Sequence, residues 1–93
     1  MSSRKSKSIE KSLLKKGFKV ELRHHKYLFF HDEKGKKTLV RTRLSHGNKE
    51  YDDGLLSQMK KQLHLDKQQL LDLIDCPMTY KMYLELLKKA SMI

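Results

Sequence analysis

The sequence predicts an α+β fold, with the order α-β-β-β-α followed by a two-helix extension. Three observations predict it. Between residues 18 and 44, apolar and polar side chains alternate in runs separated by polar or turn-forming residues, the period of two that buries one face of a strand. On both sides of that region apolar residues recur at helical spacing. The chain has 93 residues, which suits one domain around one core.

Residues 1–7 are small, polar and basic, and are expected to form a mobile arm, because they carry too little apolar surface to offset the entropy of ordering. From Ser8 the pattern is helical: Ser8 can cap, Glu10 suits the positive end, Ile9, Leu13 and Leu14 form an apolar face, and Lys15 and Lys16 precede a stop at Gly17. Phe18, Val20 and Leu22 then alternate with Lys19, Glu21 and Arg23 as the first strand. Lys26 to His31 is the second and is apolar on both sides. Asp32-Glu33-Lys34-Gly35 is turn chemistry, and Lys37 to Leu44 is the third strand, with Leu39, Arg41 and Arg43 on one face and Thr38, Val40 and Thr42 on the other.

Ser45 to Tyr51 reads as a polar loop, after which Asp52 or Asp53 starts a helix through Leu55, Leu56, Met59 and Leu63. A break falls near His64-Leu65. Asp66 and Gln69 have capping-box spacing before Leu70, Leu71 and Ile74, and Pro77 ends that helix. Thr79 caps a last helix whose Tyr80, Tyr83, Leu84 and Leu87 share a face. That face is expected to pack against the domain or across a homodimer.

Lys plus Arg number 21 against 11 Asp plus Glu, a net charge of +10. Residues 1–50 hold 15 basic and 5 acidic side chains, whereas residues 51–93 hold 6 of each, so all the excess lies in the first half. A field of this kind attracts phosphates or another acidic partner and is rarely needed by a small-molecule enzyme. No apolar run approaches the roughly 18 residues of a membrane span. The basic start is followed by polar residues rather than an apolar leader segment, so a cytoplasmic protein with no membrane partner is expected. The single Cys76 can form no internal disulfide or Cys-rich zinc site and suits small-apolar packing in a reducing compartment.

The most chemical segment is Arg23-His24-His25-Lys26-Tyr27, at the junction of the first two strands. Histidine titrates near neutral pH and can take or give a proton while neighbouring cations hold a phosphate. RNA supplies its own nucleophile in the 2′-hydroxyl, so a base, an acid and a positive clamp suffice without a metal. The plainer reading is that two adjacent histidines at a strand start are half-exposed polar residues. A sheet of three strands backed by helices is the order used by double-stranded-RNA-binding folds. The usual footprint of that fold places a basic helix start on phosphates, whereas Asp52 and Asp53 occupy that position here.

Residues 8–65 resemble the HicA family of mRNA-interferase toxins. The resemblance rests on a short helix ending in Gly17-Phe18, the step His24-His25-Lys26-Tyr27, a turn at Lys34-Gly35, a basic third strand, a Ser45-His46 loop and the helix Leu55 to Leu63. It implies a double-stranded-RNA-binding-like fold, metal-independent mRNA cleavage and neutralisation by a HicB-type antitoxin. The family histidine of the His-x-x-aromatic pattern maps to His24, with Tyr27 as the aromatic. The chain departs from the family in having Leu22-Arg23 where a small Gly-Ser or Gly-Gly pair usually precedes that histidine, and in its extension over residues 66–93.

The expectation is therefore an RNA-binding domain with HicA-like ribonuclease activity and no cofactor. His24 is the general base or acid, and His25 or Lys26 handles the second proton. Arg23, Lys26, Tyr27, Arg41, Arg43 and His46 contact RNA, although His46 equally suits a loop-shaping role. His31 reads as a solvated turn residue. A zinc site from His24, His25, His31 and His46 is not expected, because supporting cysteines and clustered carboxylates are absent. A non-catalytic RNA-binding module and a protein-interaction domain for an acidic partner are the alternatives.

Overall fold

Three antiparallel strands in chain order form the sheet, in a computed structural model that describes residues 3–45, 49–75 and 77–93. They are β2 (Phe18–Leu22), β3 (Lys26–His31) and β4 (Lys37–Leu44), with β3 in the centre. A two-residue ladder pairs β1 (Arg4–Lys5) with β5 (Glu50–Tyr51). The helices are α1 (Ser6–Lys15), α2 (Asp53–Gln62), α3 (Lys67–Asp75) and α4 (Tyr80–Lys89). The architecture is α+β, and the expected order α-β-β-β-α with two further helices is observed with one addition: Glu50 and Tyr51, expected in a loop, form a short strand that pairs with Arg4 and Lys5.

One face of the sheet meets the helices. In β2–β3 the register pairs Phe18 with Phe30 and Val20 with Leu28, and these side chains pack with Val40 and Leu44 of β4 against Ile9 and Leu13 of α1, Leu56 and Met59 of α2, and Leu70, Leu73 and Ile74 of α3. The β3–β4 register is interrupted between Phe29 and His31. The Thr38 hydroxyl donates to the Phe30 carbonyl (2.8 Å) and accepts from the Val40 N–H (3.2 Å), which satisfies backbone groups at the irregularity. Leu39 is left 87% exposed.

The caps of α2, α3 and α4 follow the sequence closely. Asp52 accepts from the Leu55 N–H (3.0 Å), Asp66 and Gln69 exchange both bonds of a capping box (2.7 and 3.0 Å), and Thr79 accepts from the Met82 N–H (3.2 Å). The break after α2 is a left-handed His64 (φ 62°), with the His64 N–H on the Lys61 carbonyl and the Leu65 N–H on the Lys60 carbonyl.

Two expectations for the N-terminal segment are corrected. The stretch expected as a free arm is tied down from Arg4, which forms a two-pronged ion pair with Asp75 (2.8 and 2.6 Å) and pairs with Tyr51 across the small ladder. Helix α1 starts at Ser6 rather than Ser8, and its cap, Lys5, contributes no side-chain bond. Ser6 is buried instead, bonded through its N–H to the Lys49 carbonyl (2.7 Å) and through its hydroxyl to the Lys49 N–H (2.9 Å). These partners lie far along the chain, where local composition carries no signal of them.

The C-terminal extension completes the core of the same domain. Tyr83 of α4 is fully buried, stacks on Phe18 (ring centroids 5.9 Å), meets Phe30 edge-on (5.0 Å) and donates its hydroxyl to the Leu63 carbonyl (2.9 Å). Lys16, at the end of α1, buries its amine against the Met78 carbonyl. His31 is not a free turn residue: it closes β3, its N–H bonds the Gly17 carbonyl (2.9 Å), and its carbonyl accepts the Tyr80 hydroxyl (3.2 Å). Cys76 and its expected apolar packing lie outside the described residues.

Candidate nucleic-acid interface

Among the described residues, no helix covers the other face of the sheet. Alternation sends Tyr27 and Phe29 of β3 to this side, between Lys19 and Glu21 of β2 and Arg41 and Arg43 of β4; Tyr27 pairs with Glu21 and Arg43, and Phe29 with Lys19 and Arg41. The hairpin Arg23-His24-His25 joins β2 to β3 at one end, closed by the Arg23 N–H on the His25 carbonyl (3.1 Å). From it an aromatic line runs down the central strand: His25 meets Tyr27 edge-on at 6.4 Å, and Tyr27 meets Phe29 at 6.2 Å.

Phe29 is only 8% exposed although it stands apart from the helix-side core. Cations cover it. The Lys37 ammonium lies 4.6 Å from the ring centroid and the Arg41 guanidinium 5.9 Å, both within cation–π range. Lys37 also pairs with Glu21 (2.8 Å), which in turn holds Arg23 (2.9 Å). Hydrogen bonding from Lys37 holds the Glu21 carboxyl below its ordinary range. The acidic side chain of this face is thereby matched by two cations, and the surrounding field remains positive.

Two hollows lie on this face. One, of about 460 Å³, is lined by Arg23, His24, His25, Tyr27, Phe29 and Arg41. The second, of about 520 Å³, shares Tyr27 and Arg41 and continues to Arg43 and to Gln62 of α2. Of the residues singled out from the sequence, Arg23, His24, His25, Tyr27, Arg41 and Arg43 are thus brought together. Lys26 is not. It points to the helix side and pairs with Glu10 of α1 at 2.8 Å, both side chains largely shielded, because it stands one residue out of phase with Tyr27. His46 lies outside the described residues.

Sequence reasoning missed Lys19, Phe29 and Lys37. The signal for Lys19 was present, since it alternates with Phe18 and Val20. For Phe29 it was masked by a strand apolar on both faces. His24 is exposed, and its ring makes no hydrogen bond to a described residue. Among the described residues no group of three or more His, Cys, Asp or Glu converges to hold a metal ion, and no helix is long and apolar enough to cross a membrane.

Fold and site together define an α+β domain with an open, basic and aromatic sheet face ending in a two-histidine hairpin. Comparison of the chain with protein-family models, curated proteins and solved structures finds no match.

Proposed function

We propose that this chain is a HicA-like ribonuclease that binds single-stranded RNA on the open sheet face and cleaves it at the β2–β3 hairpin. The observation that carries the reading is the hollow in which His24, His25 and Tyr27 stand with the cations Arg23 and Arg41. Aromatic rings flanked by cations suit unpaired bases and their phosphates. Double-stranded RNA is less well served, because Asp52 and Asp53 begin α2 where phosphates would approach.

In the proposed reaction the 2′-hydroxyl attacks the adjacent phosphorus. His24 takes the hydroxyl proton and His25 protonates the departing 5′-oxygen, leaving a 2′,3′-cyclic phosphate and a 5′-hydroxyl. Arg23 and Arg41 hold the phosphate and its developing charge. Lys26, turned to Glu10, leaves the second proton to His25. The activity belongs in the cytoplasm, under the control of a HicB-type antitoxin.

The test is incubation of purified protein with single-stranded RNA in the presence of a chelator. Wild-type protein is expected to cut the strand to cyclic-phosphate ends, and His24→Ala to cut it roughly a hundredfold more slowly with an unchanged melting temperature. A folded His24→Ala protein that cleaves as fast as wild type overturns the assignment. A non-catalytic RNA-binding module is the second reading, favoured by the absence of any described residue that orients the His24 ring; RNA bound but not cut by the wild type would establish it.

A further inference from the structure

Beyond the open face, a third hollow opens at the outer side of β4, where the sheet meets α2. It is a notch of about 150 Å³ that shares Arg43 and Gln62 with the second hollow and adds Ser45, Lys49 and Gln58. The three hollows therefore adjoin one another: Tyr27 and Arg41 line both the first and the second, and Arg43 and Gln62 line both the second and the third.

The walls of the notch are held in place. The Gln62 side-chain oxygen accepts from the buried Thr42 hydroxyl at 2.6 Å, so its amide N–H groups are left to donate. The Lys49 backbone is pinned to Ser6 on both its N–H and its carbonyl, while the Lys49 side chain is exposed and forms no ion pair with a described residue. The Tyr51 hydroxyl accepts from the Ser45 N–H at 2.9 Å and fixes the floor. Arg43 and Lys49 bring two cations to one small recess with the amides of Gln58 and Gln62 beside them. Cations with amides suit a phosphate and the polar edge of a base or its 2′-hydroxyl.

We infer that the RNA strand runs from the Arg23–His25 hairpin over the Tyr27–Arg41 ridge and leaves across β4 into the Arg43–Lys49–Gln58 notch, so that the substrate is an extended single strand engaging both ends of the track. This rests on the RNA reading above and adds the path. A rigid duplex cannot follow a track that crosses the sheet and turns over its edge, whereas a flexible single strand can. The walls of the notch include neither His24 nor His25, so it contributes affinity and a minimum length rather than chemistry.

The experiment compares the affinity of the full chain for single-stranded RNAs on the order of four and of ten nucleotides, within the site sizes of comparable single-strand binders, and for a duplex of the longer length. Wild-type protein is expected to bind the longer strand about tenfold more tightly than the shorter one, and more tightly than the duplex. Lys49→Ala combined with Gln58→Ala removes that gain and reduces the salt slope for the longer strand by about 0.7, one phosphate contact. These side chains are exposed, and the melting temperature confirms the fold. Equal affinity for both lengths, a preference for the duplex, or a full length gain in the double variant overturns the path while leaving RNA binding in place. Absence of binding to every RNA overturns the RNA reading itself, and the path with it.

Discussion

The ring of Tyr80 stands where a side chain on Gly17 would be: a Cβ at residue 17 would come within 2.4 Å of the Tyr80 Cε1. Gly17 also has φ +92°, a conformation that L-residues resist. The turn between α1 and β2 is thus shaped for the first residue of α4, more than sixty positions later in the chain. Gly17→Ala is expected to destabilise the fold by about 3 kcal/mol, from backbone strain and overpacking together. In a Tyr80→Ala background the same substitution is expected to cost only the strain, about 1–2 kcal/mol. Urea unfolding of the four proteins in the cycle measures the difference; equal costs in both backgrounds would show that the ring is not what restricts residue 17.

The buried Tyr83 hydroxyl is pushed well above the usual phenol range by desolvation and satisfies the Leu63 carbonyl. Tyr83→Phe is expected to cost about 1–2 kcal/mol by leaving that carbonyl without its partner, and Leu87→Ala about 2–5 kcal/mol through the cavity. Ending the chain after Cys76 removes Tyr80, Tyr83, Leu84 and Leu87 together and is expected to abolish the cooperative thermal transition. A truncated chain that melts as sharply and as high as the full one would contradict the placement of α4 in the core.

His64 holds a left-handed conformation at the end of α2 with both reverse-turn bonds made. His64→Gly relieves the side-chain penalty of that conformation and is expected to raise stability by about 1 kcal/mol in denaturant titration. The unfolded chain gains freedom from the glycine, which trims the benefit but does not reverse its sign.

The hydrogen bonds from Arg4, which fasten the first strand to α3, hold the Asp75 carboxyl below its ordinary value of 3.8. A carboxylate with a folded pKa below its unfolded one stabilises the fold above the unfolded value and loses that contribution as pH falls through the folded one. Wild type is therefore expected to exceed Asp75→Asn in stability at neutral pH, with the margin shrinking below about pH 4. Thermal melts of both proteins across pH 2 to 7 check this, and a margin independent of pH would rule out the linkage. The gain is modest, because the pair is partly exposed and screened.

If the open face binds RNA, Arg41→Ala with Arg43→Ala is expected to lower the dependence of affinity on salt by about one counterion per lost phosphate contact. Lys88→Ala with Lys89→Ala, on the far end of α4, is expected to leave that slope unchanged. The reverse pattern would move the binding surface to the C-terminal helices.

Much of this architecture was legible in the amino-acid sequence, because the signals are short-ranged. Alternation along Lys37 to Leu44 placed Arg41 and Arg43 on the face opposite Val40 and Thr42, and the structure has them there. Asp66 with Gln69, and Thr79, announced their helix starts through bonds that reach only three residues. The hairpin carrying His24 and His25 followed from two apolar runs separated by a polar break.

What only the tertiary structure decided depends on residues that meet across long stretches of chain. Phe29 and Lys26 sit in a strand apolar on both sides, so local period alone could not assign a cation cover to one and a Glu10 partner to the other. Arg4 read as part of a free arm because its partners, Asp75 and Tyr51, lie 71 and 47 positions away. The last helix read equally well as a dimer surface until Gly17, Phe18 and Phe30 came together as its seat. Periodicity and capping are written within a few residues of one another, whereas the burial of a side chain and the neighbours of a charge are set only when the folded layers close on each other.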